Sequence, residues 1–335
     1  MRIGLRSGNG AEERLQFAQQ IGAQGASMWA WACPGYRERG YLTVENVAEM
    51  RERFERHDLE LTGIGLGAEV IKRQLLGLPG REQDAELVAQ TIRSMGEAYR
   101  DRAPERSPVL IIDQRITYWA AGEGYPAGNP GYARLPLGRG GAVLTSFGAA
   151  RGEMDAPAGH VTREQVWERI AYLYERIVPV AEAAQIRLAT HPDDPPIDVY
   201  RGVEQVLTGL AGFQRFIELV PSPYNGLLLC LGCMQERGED VPEVIRTFGE
   251  RDRIFYVHFR NVRGTVPQYV EVFPDQGDGD MVANLKALAA VGYDGYIVPD
   301  HHIGLVGDSE WMHCSRAWQV GYIRGLMQAL ASSPV

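Results

Sequence analysis

Cysteine is scarce, with four in 335 residues: Cys33, Cys230, Cys233 and Cys314. So few cannot staple a chain of this size, which excludes a disulfide scaffold and leaves any informative cysteine as a ligand or a nucleophile. Positive charge is short as well, with 34 Lys and Arg against 43 Asp and Glu and a formal charge of −9. That balance does not draw in polyphosphate or anionic lipid, so nucleic acid and membrane are not expected partners. No apolar run approaches the roughly 18 residues of a membrane span, and the opening MRIGL has no basic stretch leading into one. A cytoplasmic protein is the expectation. Short-period repeats and low-complexity tracts are missing too. What is present, 45% hydrophobic and 23% charged residues, is the usage of a globular chain able to build a large core.

Eight short apolar runs read as strands, at 2–5, 26–29, 59–64, 109–112, 186–190, 227–230, 254–258 and 296–298. Helical patterns fall between and after them, at 11–21, 44–56, 82–102, 163–184, 201–219, 241–250, 282–291 and 311–330. Thr43, and Thr162 with Gln165 three residues on, mark two helix starts. The runs are continuously apolar, as parallel strands covered on both faces are. Eight such units predict an α/β chain folded as a single (β/α)₈ TIM barrel over 1–335, with a doubly wound sheet as the competitor.

Residues 113–161, rich in Gly, Pro and aromatics, interrupt this rhythm after the fourth strand. The expectation is an inserted lid or an oligomer-contact loop, whose Arg115, Tyr118, Tyr125, Tyr132, Arg134 and Arg139 offer contacts to an anionic substrate.

The chemistry-bearing residues sit at strand ends. His191 closes the fifth strand (IRLATH), Cys230 the sixth (GLLLC) and His258 the seventh (IFYVH), and Asp300 follows the eighth (GYIVPD). In a barrel these four converge on one face, where barrel active sites are built. Two imidazoles, a thiolate and a carboxylate are a ligand set for a divalent transition metal, and their softness favours zinc. Cys230-x-x-Cys233 also fits a zinc knuckle or a redox pair, but no second ligand pair of similar spacing exists. Gly63-Ile-Gly65-Leu-Gly67-Ala68 formally fits a dinucleotide loop, yet the sequence after it is not the required helix and acid-tipped strand.

Around the four lie further candidates. Asp193 and Asp194, in HPDDPP, are placed to orient a ligand or bind a substrate hydroxyl, although Asp194 before Pro195 also suits a turn. Arg260, two residues after His258, has a planar fork that suits a substrate carboxylate. His301 and His302 follow Asp300, where an imidazole can exchange protons. Glu271, Asp275, Asp278 and Asp280 add acidic groups after the seventh strand, in a spacing that fails the calcium-loop template.

LLGLPGREQD, TIRSMGEA, HPDDPP, LLLC-x-G, VHFRNV, FPDQGDGDM and PDHH together resemble the mannonate dehydratase family of hexuronate catabolism, over roughly 75–301. The resemblance implies a xylose-isomerase-like barrel and a divalent metal, typically Mn²⁺ with Fe²⁺, Zn²⁺ and Mg²⁺ as alternatives. It implies dehydration of a sugar acid, D-mannonate, to 2-keto-3-deoxy-D-gluconate, and a homo-oligomer is expected. Its metal ligands fall on His191, Cys230, His258 and Asp300. On this reading His301, Arg260 and Asp194 carry the catalysis, and Arg260, Asp193, His302 and Arg115 bind substrate. Departures are also visible. The family's Arg-Trp-(Phe/Tyr)-Gly block reads Leu5-Arg6-Ser7-Gly8 here, its segment after the fourth strand reads IIDQRITYWAA, and Cys314 stands where a tyrosine is usual. A different polyhydroxy acid, a metal-dependent sugar isomerase or epimerase, and a non-catalytic sugar-acid-binding protein therefore stay open.

Overall fold

The computed structural model describes residues 1–115, 129–150, 156 and 158–332. In chain order its strands are β1 (Arg2–Gly8), β2 (Gly25–Trp29), β3 (Glu60–Gly65), β4 (Val109–Ile112), β5 (Tyr132–Leu135), β6 (Leu144–Gly148), β7 (Leu188–Thr190), β8 (Val199–Tyr200), β9 (Val203–Glu204), β10 (Asn225–Cys230), β11 (Ile254–Phe259), β12 (Asn261–Thr265), β13 (Gln268–Val272) and β14 (Tyr296–Pro299). Eight of them close a barrel in the order β1-β14-β11-β10-β7-β4-β3-β2, every pairing parallel. The chain is a (β/α)₈ barrel, as the eight apolar runs predict. β10 and β11 are buried along their whole length, which explains why no alternation shows in their sequence.

Helices coat the barrel, and their starts follow local chemistry. Thr43 accepts from the Asn46 amide and Asn46 Oδ1 accepts from the Thr43 amide, closing a capping box at Val44–Glu55. Thr162 and Gln165 do the same at Arg163–Ala184. The expected helix that departs most is 201–219. Of 201–219 only Leu210–Leu219 is helical, because Arg201 and Gly202 take positive φ (51° and 81°) and turn β8 back onto β9. Arg201 carries no turn signature of its own, so the pattern over 201–219 predicts helix there.

The interrupted region after β4 contributes β5 and β6, while Tyr118 and Tyr125 lie outside the described residues. These strands join the β12–β13 hairpin in an antiparallel sheet of order β12-β13-β6-β5. Tyr132, Phe147, Tyr200, Val262 and Tyr269 form its own apolar cluster. The sheet grows directly out of β11, so one wall beside the barrel mouth is built from residues far apart in sequence. Among the described residues no helix is long and apolar enough to cross a membrane.

Candidate metal centre at the barrel mouth

His191 follows β7, Cys230 ends β10, His258 lies in β11 and Asp300 follows β14. Parallel pairing brings Cys230 level with His258, and His258 level with Val298 two residues before Asp300. One donor atom from each of the four lies within 4.8 Å of all the others, and all four residues are buried. The two imidazole rings stand 5.3 Å apart, centroid to centroid.

The donor set fits a divalent cation. His191 Nδ1 donates to the Pro192 carbonyl (2.7 Å), which leaves the Nε2 lone pair for a ligand. His258 Nδ1 is buried, makes no hydrogen bond and faces Asp300 Oδ2 at 3.3 Å, so a cation shared by the two would satisfy both. Burial pushes the Cys230 thiol up, but the hydrogen bond from Cys233 and the Arg260 charge outweigh it and hold Cys230 well below the usual thiol range. Burial likewise raises Asp300, and His258, His301 and Arg6 overcome it to hold the carboxyl well below its ordinary value. A thiolate and a carboxylate then match a dipositive ion in charge.

Behind this cluster lies a second, organised by Arg260. Its Nη2 donates to Asp194 Oδ2 (3.0 Å) and Cys233 Sγ (3.1 Å), its Nη1 meets Glu236, and Glu271 lies 3.8 Å away. Asp194, Cys233 and Glu236 bring donor atoms within 4.8 Å of one another, the spacing of a metal site, but here the guanidinium is the cation they share. Gly232 makes this packing feasible, since a Cβ there would stand 2.6 Å from Arg260 Cγ. The glycine of LLLC-x-G is thus accounted for by a close approach.

His191, His258 and Asp300 open on a cavity also lined by Arg6, Trp29 and Asp113, and Arg260, 2% exposed, stands behind it with its guanidinium engaged in internal ion pairs. Asp193 is turned away as well, its Oδ2 accepting from the amides of Val206 (3.2 Å) and Leu207 (2.7 Å). His302 contacts Gln319 through Nδ1, does not line the cavity, and burial with the Arg316 charge pushes it well below the usual imidazole value. Arg115 does line the cavity, with its guanidinium held by Asp113 and by the Asp194 carbonyl (3.2 Å). Asp194 lines it too. Its carboxylate receives the Tyr132 hydroxyl (2.8 Å) and Arg260, and although burial raises it, Arg260 and His301 keep it below its ordinary value. So solvated by donors, Asp194 orients charge better than it accepts a proton.

His301 lines the cavity with Nδ1 on Glu271 (2.7 Å) and Nε2 3.5 Å from Asp300 and 3.9 Å from Asp194. Burial lowers it, but Glu271 and Asp300 prevail and push it up to about 9. Of the acidic loop after the seventh barrel strand only Glu271 reaches the site. Asp275 pairs with Arg139 (2.6 Å), Asp278 accepts from the Gly264 amide (2.7 Å), and Asp280 caps the helix Met281–Ala290. Cys314 is exposed and donates its amide to Asp308 (2.9 Å), outside the cavity. Gly65 of the glycine-rich segment admits Trp29, which a Cβ would meet at 2.4 Å, so its smallness serves packing at the mouth. Sequence reasoning missed Arg6, Asp113, Trp29 and Glu236, and a basic residue directly after the first apolar run was the local signal that pointed to Arg6.

A family model for D-mannonate dehydratase (UxuA) matches residues 147–334. Mannonate dehydratase of Thermotoga neapolitana is 30% identical over 318 residues, covering 86% of each chain. The chain belongs to the mannonate dehydratase family. Mannonate dehydratase 1 of Halalkalibacterium halodurans is 39% identical over 146 residues, 42% of this chain and 40% of that one. The crystal structure of mannonate dehydratase from Streptococcus suis serotype 2 matches with a TM-score of 0.83 at 24% identity, covering 100% of this chain and 96% of that one. D-psicose 3-epimerase with D-tagatose from Clostridium cellulolyticum H10 matches at 0.61 and 15% identity, over 98% and 99%. These two structures show the shared barrel. Membership of the mannonate dehydratase family makes the protein an enzyme of the hydro-lyase class, which sets the non-catalytic binding protein aside.

Proposed function

We propose that this protein is a divalent-metal-dependent sugar-acid dehydratase that converts D-mannonate to 2-keto-3-deoxy-D-gluconate. The observation that carries this reading is the convergence of His191, Cys230, His258 and Asp300 beside His301, in a chain of the mannonate dehydratase family. The four would hold the ion, Mn²⁺ being the one the family resemblance favours. Bound there, it supplies Lewis-acid stabilisation of the negative charge that develops beside the substrate carboxylate.

The remaining steps belong to side chains. The hydrogen on the carbon next to the carboxylate leaves as a proton, the hydroxyl on the following carbon departs as water, and the enol relaxes to the 2-keto acid. His301 carries the proton: Glu271 fixes Nδ1, so Nε2 is the atom that takes or gives it. Glu271 and Asp300 favour the charged form of the ring, with Asp194 3.9 Å from Nε2 on the same side as Asp300. Arg260 and Asp194 hold the far side of the ligand cluster rigid. The experiment is the purified protein with Mn²⁺ and D-mannonate, read as 2-keto-3-deoxy acid. Turnover is expected, and a metal-loaded protein that forms no product would overturn the reading.

A further inference from the structure

We propose that Arg6 is the residue that receives the substrate carboxylate and selects sugar acids over neutral sugars. This rests on the dehydratase reading and names the determinant of its substrate class.

An anion entering a chain of net charge −9 needs a local cation. Among the described residues, Arg260, Arg115 and Arg316 also lie near the cavity, each held by partners of its own as Arg6 is by Asp300. Arg260 is 2% exposed, inside its acidic cluster. Arg115 is 7% exposed, and Asp113 takes its Nε with both oxygens, each at 2.8 Å. Arg316 donates to the carbonyls of Trp311 (2.7 Å) and Arg6 (3.4 Å) and packs on the Trp311 ring. Arg6 lines the cavity with 35% of its side-chain surface accessible, and Trp29 lies beneath it at 5.9 Å. A guanidinium that is partly exposed on a cavity wall is shaped for bidentate recognition of a carboxylate.

Its place relative to the chemistry supports the assignment. Arg6 Nη1 contacts Asp300 Oδ1, while Asp300 Oδ2 lies 3.3 Å from His258 and 3.5 Å from His301 Nε2. One carboxylate therefore positions the anion-binding group on one side and the proton carrier on the other. Arg6 and His301 line the same cavity, so a substrate carboxylate received by Arg6 lies in the space that His301 faces. Arg6 sits in the block where the chain departs from the family's aromatic pattern, so its surroundings are particular to this sequence.

The test uses full-length protein loaded with Mn²⁺, its content checked by elemental analysis, as wild type, Arg6→Lys and Arg6→Gln. Binding of D-mannonate and of its neutral carboxamide is measured by calorimetry, and KM and kcat by product formation. Wild type is expected to prefer the acid at least tenfold. Arg6→Gln is expected to abolish the preference and raise KM by about 10–100-fold, the range for losing a charge-assisted hydrogen bond, with a smaller change in kcat. Arg6→Lys should retain part of the preference. An unchanged preference and KM in Arg6→Gln overturns the assignment; should that variant fail to hold metal, wild-type values for both in Arg6→Lys overturn it. Acid-selective binding lost in Arg6→Gln while wild type shows no turnover would sustain Arg6 and defeat the dehydratase reading alone.

Discussion

Replacing Arg260 with methionine keeps most of the side-chain volume and removes the guanidinium that Asp194 and Glu236 share. Both carboxylates are fully buried, so water cannot take over the lost contacts. Removing one partner of a buried ion pair costs about 3–5 kcal/mol, against about 0–1 kcal/mol for an exposed pair. An unfolding entropy of about 2.1 cal/mol/K per residue gives roughly 0.7 kcal/mol/K for a chain of 335 residues. The expected fall in thermal midpoint is therefore about 4–7 °C, read by calorimetry at a fixed Mn²⁺ concentration so that metal binding does not mask it. Arg246→Met, which removes a surface partner of Glu243, is the control and should move the midpoint by no more than about 1.5 °C. The triple variant Arg260→Met, Asp194→Asn, Glu236→Gln replaces the charges with neutral groups and should recover much of the loss without recovering activity. A single variant that melts within about 1.5 °C of wild type would refute the claim that this guanidinium neutralises a buried acidic cluster.

Cys230→Ala should lose more metal affinity than the roughly 10–100-fold seen when only a ligand's hydrogen-bond partner is removed, and unchanged elemental content would exclude Cys230 as a ligand. His301→Asn should lower kcat by about 10² or more while metal content stays at the wild-type level, and equal turnover would end its role as proton carrier. Asp193→Ala leaves the buried amides of Val206 and Leu207 without their acceptor, so it should cost about 1–3 kcal/mol in a denaturant titration with KM unchanged; a raised KM at wild-type stability would return Asp193 to the cavity. Gly232→Ala pushes a Cβ into Arg260 and should lower the midpoint in the same direction as Arg260→Met, which calorimetry reads directly.

The barrel is legible in the sequence because each of its strands is a short, unbroken apolar run that satisfies the parallel pattern locally. Strand ends were legible for the same reason, and with them the positions of His191, Cys230, His258 and Asp300. What depends on distant partners was not. β6 (LTSFG) becomes a strand by pairing with β13, more than a hundred residues later, and β5 by pairing with β6. Glu236 has no motif around it and acquires meaning only through Arg260, and Glu271, one of the four acids between 271 and 280, is singled out only by its contact with His301. Arg201 adopts a turn conformation that its residue type does not announce.

Arg260 shows where the reasoning from spacing stops. Two residues after His258 on an extended chain, it was expected to face the same side as the ligand, and its guanidinium does approach Asp300, at 3.7 Å from Nε. Direction was inferable, but depth was not. Depth is set by Gly232, which leaves room over the first turn of the helix Leu231–Arg237, and by the carboxylates of Glu236 in the same helix and of Asp194 and Glu271 from two other segments, which draw the guanidinium down. A fixed organic cation in that position has a consequence a second metal would not share: it cannot dissociate. The acidic groups behind the ligand cluster stay neutralised whether or not the ion in front is bound, so the cluster keeps its shape during metal exchange. Arg6, with about a third of its side chain accessible, binds the other oxygen of the same Asp300.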